Sequence, residues 1–339
     1  MFQTKSKTRL IGFFVAFIMV ILLFSYQLPF YIHKPGHADP LNPVIEVDGA
    51  SDSEGDMHLV TIQGGRATPF QYMMALWRDY HDILPIEDVL PEGMTDEDYR
   101  QMQLMMMESS QEGSTVVAYE AAKKEININY EGVYVVSVVE GMPADGILQS
   151  ADQIIEIDGH TINEAEDLID YVSTKNVGDH ISIKVKRNEE TFETEITMKA
   201  LEALDGQPGI GIQLVTNRSV TVSPELTFTS GEIGGPSAGL MFSLEIYDQL
   251  TETDITNGLQ IAGTGEIDYQ GNVGRIGGID KKIVAADHAD CDIFFAPNEN
   301  GREDSNYQIA KQVAKEIGTD MEIIPVDTFD DALTYLQNR

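Results

Sequence analysis

Gly231-Glu232-Ile233-Gly234-Gly235-Pro236-Ser237-Ala238-Gly239 opens directly into an apolar stretch carrying Leu240, Met241, Leu244, Ile246 and Tyr247. Pro236 has a preset φ and no N–H to leave unpaired, so it suits a first helical turn. Ser237 thereby falls at a helix start, where free N–H groups and the helix dipole favour negative charge. Glycines on both sides let another backbone approach closely. A nucleophile that must pass through an oxyanion needs that setting. Taken alone, the segment also fits a phosphate cradle or a plain tight turn. No Gly-x-x-x-x-Gly-Lys-[Ser/Thr] segment occurs in the chain, which argues against an ATPase module.

A second turn-to-helix junction decides between these readings. It is Gly277-Gly278-Ile279-Asp280-Lys281-Lys282-Ile283-Val284-Ala285-Ala286, with Lys282 45 positions beyond Ser237. Adjacent helical residues point about 100° apart, so only one of the two lysines faces a given site. Lys282 directly precedes an apolar pair and belongs at the edge of the buried face. A solvated lysine with a pKa of about 10.4 is protonated at neutral pH and useless as a base. Burial against apolar neighbours lowers that value by several units and makes the amine a workable base for a serine hydroxyl. Such serine–lysine pairs are a variant of triad logic. The 7 histidines offer no motif with an acidic orienter, and His288, the nearest to this helix start, reads as a surface residue. There is no His-Glu-x-x-His segment and no cysteine pair, so metal chemistry has no support. The only cysteine, Cys291, lies in an apolar run and reads as buried.

Together the two segments resemble the proteolytic domain of the Lon family. Gly235-Pro236-Ser237-Ala238-Gly239 matches its nucleophile motif, and residues 277–286 match its lysine motif, with Lys282 on the catalytic position. Ala262-Gly263-Thr264-Gly265-Glu266-Ile267 matches between them. The resemblance implies that Thr264 hydrogen-bonds the lysine, that no cofactor is needed, and that such domains form rings or otherwise self-associate. Backbone at Gly234 and Gly235, together with the N–H of Ser237, is expected to receive substrate and oxyanion.

Upstream, the apolar period switches to two at Ile126-Asn127-Ile128-Asn129-Tyr130 and returns at His180–Lys186 and Thr191–Met198, around a helix near Ala165–Val172. This order of signals resembles a bacterial PDZ domain over residues 126–200. Glu131 and Gly132-Val133-Tyr134-Val135 match its carboxylate-binding loop and following strand, and Gly141-Met142-Pro143-Ala144 and Ile154–Gly159 match later positions. Ala151-Asp152 departs from the usual Gly-Asp. The resemblance implies capture of a peptide tail by strand addition to an open edge; a spacer domain with a closed groove is the competing reading.

The remaining segments place the chain. With 22 basic and 56 acidic residues the net charge is -34, which repels phosphate backbones and excludes nucleic acid as a partner. The first 34 residues break that pattern: Lys5, Lys7 and Arg9 precede an apolar run, Leu10–Leu28. Nineteen residues span about 28 Å, close to the bilayer hydrocarbon thickness. The basic flank is expected in the cytoplasm and the bulk of the chain outside. Tyr26, Phe30 and Tyr31 are expected in an outer aromatic belt. A cleaved signal peptide competes, but no small-x-small site follows the run. Residues 35–56 read as a linker with an extended piece, Val44–Val47. Pro69–Tyr80 reads as a helix with Phe70, Met73, Met74 and Trp77 on one face. Thr95 caps a further helix carrying Met102, Met105, Met106 and Met107 as gap-filling core residues, and Gln111–Glu125 continues as a second helix.

The reading is an α+β chain of four segments. These are a tail and transmembrane anchor (1–35), a linker and N-terminal region packing on the protease (36–125), a PDZ domain (126–200) and a Lon-type domain (201–339). That arrangement resembles the membrane-anchored, PDZ-containing Lon-like proteases of Gram-positive bacteria. It implies ATP-independent cleavage of peptides or exposed segments at the outer face of the membrane, by Ser237, Lys282 and Thr264. The rival is a membrane-anchored PDZ adaptor with a degenerate protease-like domain, which binds peptide tails without cutting them.

Overall fold

Two units divide the chain: residues 1–125 with 222–339, and residues 126–221. The computed structural model describes residues 3–50, 53–90, 95–188, 190–201, 206–229, 231 and 233–339, with side chains for all of these except 3–11 and 217. From the N-terminus, α1 (Gln3–Ser25) leads to β1 (Phe30–Pro40), β2 (Ile45–Val47), β3 (Asp56–Arg66), α2 (Pro69–Ala75), β4 (Asp82–Pro85), α3 (Ile86–Val89) and α4 (Asp96–Ala121). The middle holds β5 (Glu125–Val138), β6 (Gln153–Ile157), β7 (His160–Thr161), α5 (Ala165–Ser173), β8 (His180–Arg187), β9 (Glu190–Thr197), β10 (Lys199–Leu201), β11 (Gln207–Gly209) and β12 (Ile212–Ser223). Then come β13 (Leu226–Phe228), α6 (Gly239–Leu250), β14 (Gln260–Gly263), β15 (Glu266–Ile267), β16 (Val273–Gly274), α7 (Ile279–Asp287), β17 (Ile293–Pro297), α8 (Asn306–Ile317), β18 (Glu322–Val326) and α9 (Phe329–Gln337).

The first unit is built on a sheet ordered β18-β17-β14-β3-β1-β4. β18, β17, β14 and β3 run parallel, and β1 and β4 are antiparallel additions. Parallel neighbours need crossover helices, and α7 and α8 supply a covered face: Ile283 and Ala286 pack with Phe294, Ala310, Val313 and the buried Cys291. The stretch expected as a linker, residues 35–56, holds the second half of β1, the short β2 and the first residue of β3. Its Pro, Gly, His and Asp residues hide β1 from a pattern search, yet β1 pairs with β3 from Tyr31↔Arg66 to Pro40↔His58. Residues 30–85 thus supply three strands of the sheet that carries the C-terminal motifs.

Among the described residues no helix is long and apolar enough to cross a membrane. α1 is helical and presents Phe13, Phe14, Phe17 and Phe24 to solvent. The aromatic belt is not as expected. Tyr26 is exposed, but Phe30 packs at a tilt against Tyr72 and Tyr31 is buried, its hydroxyl donating to the Asp96 carboxylate. Thr95 caps α4 in a reciprocal box with Asp98, and α4 runs unbroken to Ala121, so the second helix expected from Gln111 is its continuation. Met107 is buried, whereas Met105 and Met106 are exposed, so the cluster is not all core filling.

The second unit extends to residue 221, beyond the expected boundary at 200, because β12 joins its sheet in the order β12-β5-β6-β8-β9. Val133, Val135, Ile154, Ile157, Ile181, Ile183, Val185 and the α5 residue Leu168 form its core. Ala151, the departure noted in the sequence, sits at φ +70. That left-handed geometry suits glycine and costs about 1 kcal/mol with a Cβ. Next to it, the fully buried Asp152 carboxylate is held by Arg187 in a two-pronged ion pair at 2.5 and 2.6 Å.

Candidate active site

Ser237 lies in a single 3₁₀ turn, Pro236–Ala238, that leads into α6. The turn begins at Gly235, whose φ of 96 and ψ of 152 are open only to glycine. α4 fixes the loop from behind: Ser110 donates to the Pro236 carbonyl at 3.0 Å and Ser114 to the Gly239 carbonyl at 2.9 Å. The far side is fixed by the strand pair β15–β16 and its approach, where the Gly265 N–H donates to the Ser237 carbonyl at 2.9 Å.

α7 brings the lysine to this turn. Lys282 Nζ lies 2.7 Å from Ser237 Oγ and 3.0 Å from Thr264 Oγ1. The Thr264 hydroxyl in turn donates to the Ser237 carbonyl at 2.9 Å. Thr264 is fully buried and Lys282 is 3 % exposed. The two adjacent lysines divide as their positions on α7 require. Lys281 is equally buried but is paired with Asp82 and Asp280. Lys282 has no carboxylate partner among the described residues, and burial pushes its amine down to about 7. Lys281 is a structural cation; Lys282 is an amine able to accept a proton at neutral pH.

The structure thus brings together Ser237, Lys282 and Thr264, three residues from three separate segments: the 3₁₀ turn, α7 and the link between β14 and β15. The oxyanion assignment needs correction at Gly235. Its N–H donates to the Gln103 carbonyl of α4 at 2.8 Å, so it is not free to meet substrate. His288 is exposed at the C-terminal end of α7 and makes no contact with the serine.

A cavity of about 880 Å³ opens over the dyad. Its floor is the loop 233–238, one wall is Gly277, Gly278 and the two lysines, and the opposite wall is Tyr99, Gln103, Leu104 and Met107 of α4. β3 forms a third side through Val60, Thr61, Ile62 and Gly64. β14 ends at Gly263, opposite Leu59, so beyond Leu59 that edge of β3 has no strand partner among the described residues. The α4 contributions (Gln103, Ser110, Ser114, Met107) are the ones sequence reading misses; they carry no motif, only helical spacing toward one face.

In the second unit the expected peptide site also needs correction. Gly132, Val133, Tyr134 and Val135 lie within β5, which is flanked by β12 on one side and β6 on the other. Both edges are in use, so no strand can be added there. Gly132 is required for packing instead: at φ +107, a Cβ would come within 2.5 Å of the Ile154 carbonyl oxygen. The sheet's terminal strand is β12, and it runs beside α5, whose Ala165 N–H donates to Thr216 Oγ1 at 2.9 Å.

Comparison with known proteins gives the geometry its family context. Residues 226–338 match the Lon protease (S16) C-terminal proteolytic domain. This stretch is similar to a Lon-type serine peptidase domain. Residues 104–198 match the PDZ domain. The chain is 39% identical over 101 residues to the Lon protease of Campylobacter jejuni, covering 30% of this chain and 12% of that protein. It is 32% identical over 102 residues to the Lon protease of Aster yellows witches'-broom phytoplasma, again 30% and 12%. The chain thus spans about an eighth of the length of the curated relatives it matches. The PDZ region is 39% identical to the PDZ domain of the SdrC-like protein from Listeria monocytogenes, covering 26% of this chain and 93% of that one, with a TM-score of 0.25.

Thr264 is the member of this peptidase site whose role is most easily isolated. Thr264→Val keeps the shape but removes the hydroxyl that bridges the amine and the Ser237 carbonyl. Loss of that positioning lowers kcat about 10- to 100-fold with KM nearly unchanged. Thr264→Ser restores most of the rate, which steady-state kinetics on a short fluorogenic peptide would read.

Proposed function

We propose that the chain is an ATP-independent serine endopeptidase, tethered by α1 to the cell membrane with its N-terminus cytoplasmic and its two folded units outside. The observation that carries the catalytic part is the 2.7 Å approach of Lys282 Nζ to Ser237 Oγ in a buried pocket that gives the amine no counter-ion among the described residues. Ser237 passes its proton to Lys282 as Oγ bonds the scissile carbonyl carbon. The oxyanion forms at the helix start, where the Ser237 N–H is available in place of that of Gly235. Lys282 returns the proton to the amine nitrogen as the C–N bond breaks, leaving an acyl group on Oγ. Water then adds to the acyl carbon and gives its proton to Lys282, which hands it back to Oγ as the acid departs.

The unpaired edge of β3 beyond Leu59 suits an extended substrate segment, whose apolar side chains meet Ile62, Leu104 and Met107. Such pairing demands an unfolded or exposed stretch. The absence of a Walker-type segment from these 339 residues supports cleavage without nucleotide. The free edge of β12 beside α5 is the place for a substrate tail in the PDZ unit. Lys5, Lys7 and Arg9 ahead of the apolar run support the orientation. Self-association into a ring follows the Lon-type likeness.

The test is nucleotide-free incubation of the purified chain with an unfolded protein, with and without a peptide boronate. Cleavage that the boronate blocks, with the boron adduct on Ser237, is the expected result. Absence of both cleavage and adduct, with peptide tails still bound, would leave a non-catalytic adaptor.

A further inference from the structure

α2 turns the wrong way for a core helix. Thr68 caps it, and Tyr72 and Ala75 pack it onto Ile32, Ala67, Phe30 and Ile83. Of the apolar face read in the sequence, Met74 is half-buried but Phe70 is 37% exposed, Met73 49% and Trp77 89%, and Leu76 beside them is 61% exposed. Soluble surfaces rarely gather aromatic and long aliphatic side chains in this way without an occupant.

The same surface continues into α1. The Phe24 ring lies 4.7 Å from that of Phe70, and an apolar groove of about 540 Å³ runs between the helices, lined by Met19, Val20, Leu22, Leu23, Tyr26 and Pro69. We infer that α2 is a membrane-surface element: its Phe70–Trp77 face docks into the headgroup–acyl boundary of the outer leaflet, and the groove takes an acyl chain. This rests on the reading of α1 as a tether and adds a second point of attachment beside it. Two observations favour lipid over a second copy of the chain. The groove is lined by Met19, Val20, Leu22, Leu23, Tyr26 and Pro69, whose side chains are apolar apart from the Tyr26 hydroxyl. Trp77 is followed by the exposed Arg78, an aromatic body and a cation at the depth where ring and headgroup phosphate meet. Attachment at α2 as well as α1 removes rotation about the tether and holds the catalytic unit in one orientation to the membrane.

The chain has one tryptophan, so its fluorescence reports Trp77 alone. The full chain is reconstituted into phosphatidylcholine vesicles, floated on a density gradient, and its emission compared in plain and bromine-labelled acyl chains. Docking gives co-flotation, a blue shift of roughly 10 nm and about twofold quenching by the brominated lipid, as expected for a ring at the interface. The double variant Met73→Glu, Leu76→Glu, both at exposed positions, still floats but loses shift and quenching. Flotation with water-like, unquenched emission in the wild type overturns α2 docking and leaves the α1 tether standing. A blue shift without bromine quenching overturns it in favour of a second copy. Failure to float removes the tether and the docking together.

Discussion

Ser237→Ala is expected to abolish peptide-bond cleavage, by about 10⁴-fold or more, while leaving the chain folded. Oγ is the only atom lost, and its recorded partner is the Lys282 amine. The bonds that hold the turn use backbone: the Ser237 carbonyl still accepts from Thr264 and Gly265, and Ser110 and Ser114 still anchor the neighbouring carbonyls. Thermal unfolding of the variant should therefore match that of the wild type, and peptide binding to the second unit should persist. Residual cleavage at a tenth of the wild-type rate would remove Ser237 from the nucleophile role. A collapse of the melting temperature would mean that the hydroxyl is structural.

Lys282 carries the second large effect, in two observables with opposite signs. Activity needs the neutral amine, so kcat/KM should rise with pH through about 7 and level off above it, following the burial-lowered value of this group. Lys282→Arg places a cation that does not deprotonate in the same pocket, and Lys282→Met removes the base; each should cost about 10³-fold or more in rate. Stability moves the other way. Burial lowers the amine from 10.5 to about 7, so between those values the unfolded chain binds more protons than the folded one. Wild-type stability therefore increases with pH across that window and carries the full cost of the buried amine below it. Lys282→Met is isosteric enough to fill the site without that cost. It should be more stable than the wild type by about 1–3 kcal/mol at pH 6, with the advantage fading toward pH 10. Urea unfolding at several pH values reads this directly. A Met variant that is less stable at pH 6 would mean that the lysine is paired and charged in the folded state.

The dyad was legible because each of its parts imposes a local backbone demand. Gly235 at φ 96, the left-handed Gly278 before α7 and the buried bend at Thr264 all leave marks within a few residues of the chemistry. Which lysine faces the serine was also readable, since only Lys282 is followed directly by the apolar pair on its helix. The supporting shell was not. Ser110 and Ser114 are 126 and 125 positions from the carbonyls they hold, and a serine on a helix gives no sign of its distant acceptor. The same blindness produced the Gly235 error: a glycine N–H near a nucleophile looks free until α4 is known to lie against it. β1 was lost because Lys34-Pro35-Gly36-His37-Ala38-Asp39 lacks the alternation of a half-buried strand; its partners come from both sides of the sheet. In the second unit, Gly132 fits a loop motif and a tight strand crossing equally well, and only the place of β5 in the sheet separates them.

The position of β3 has a further consequence for how the chain matures. Its parallel neighbour β14 joins residues 56–59 to residues 260–263, across the whole of the inserted 126–221 unit. A contact of that sequence separation is slow to close and cannot form until the late strand has been synthesised and delivered. The insert, whose strands pair among themselves, can fold while β3 holds only its early neighbour β1 and waits for β14. Because Val60, Thr61 and Ile62 of β3 line the cavity over Ser237, that side of the cleft is expected to be set in place only after the late strand arrives.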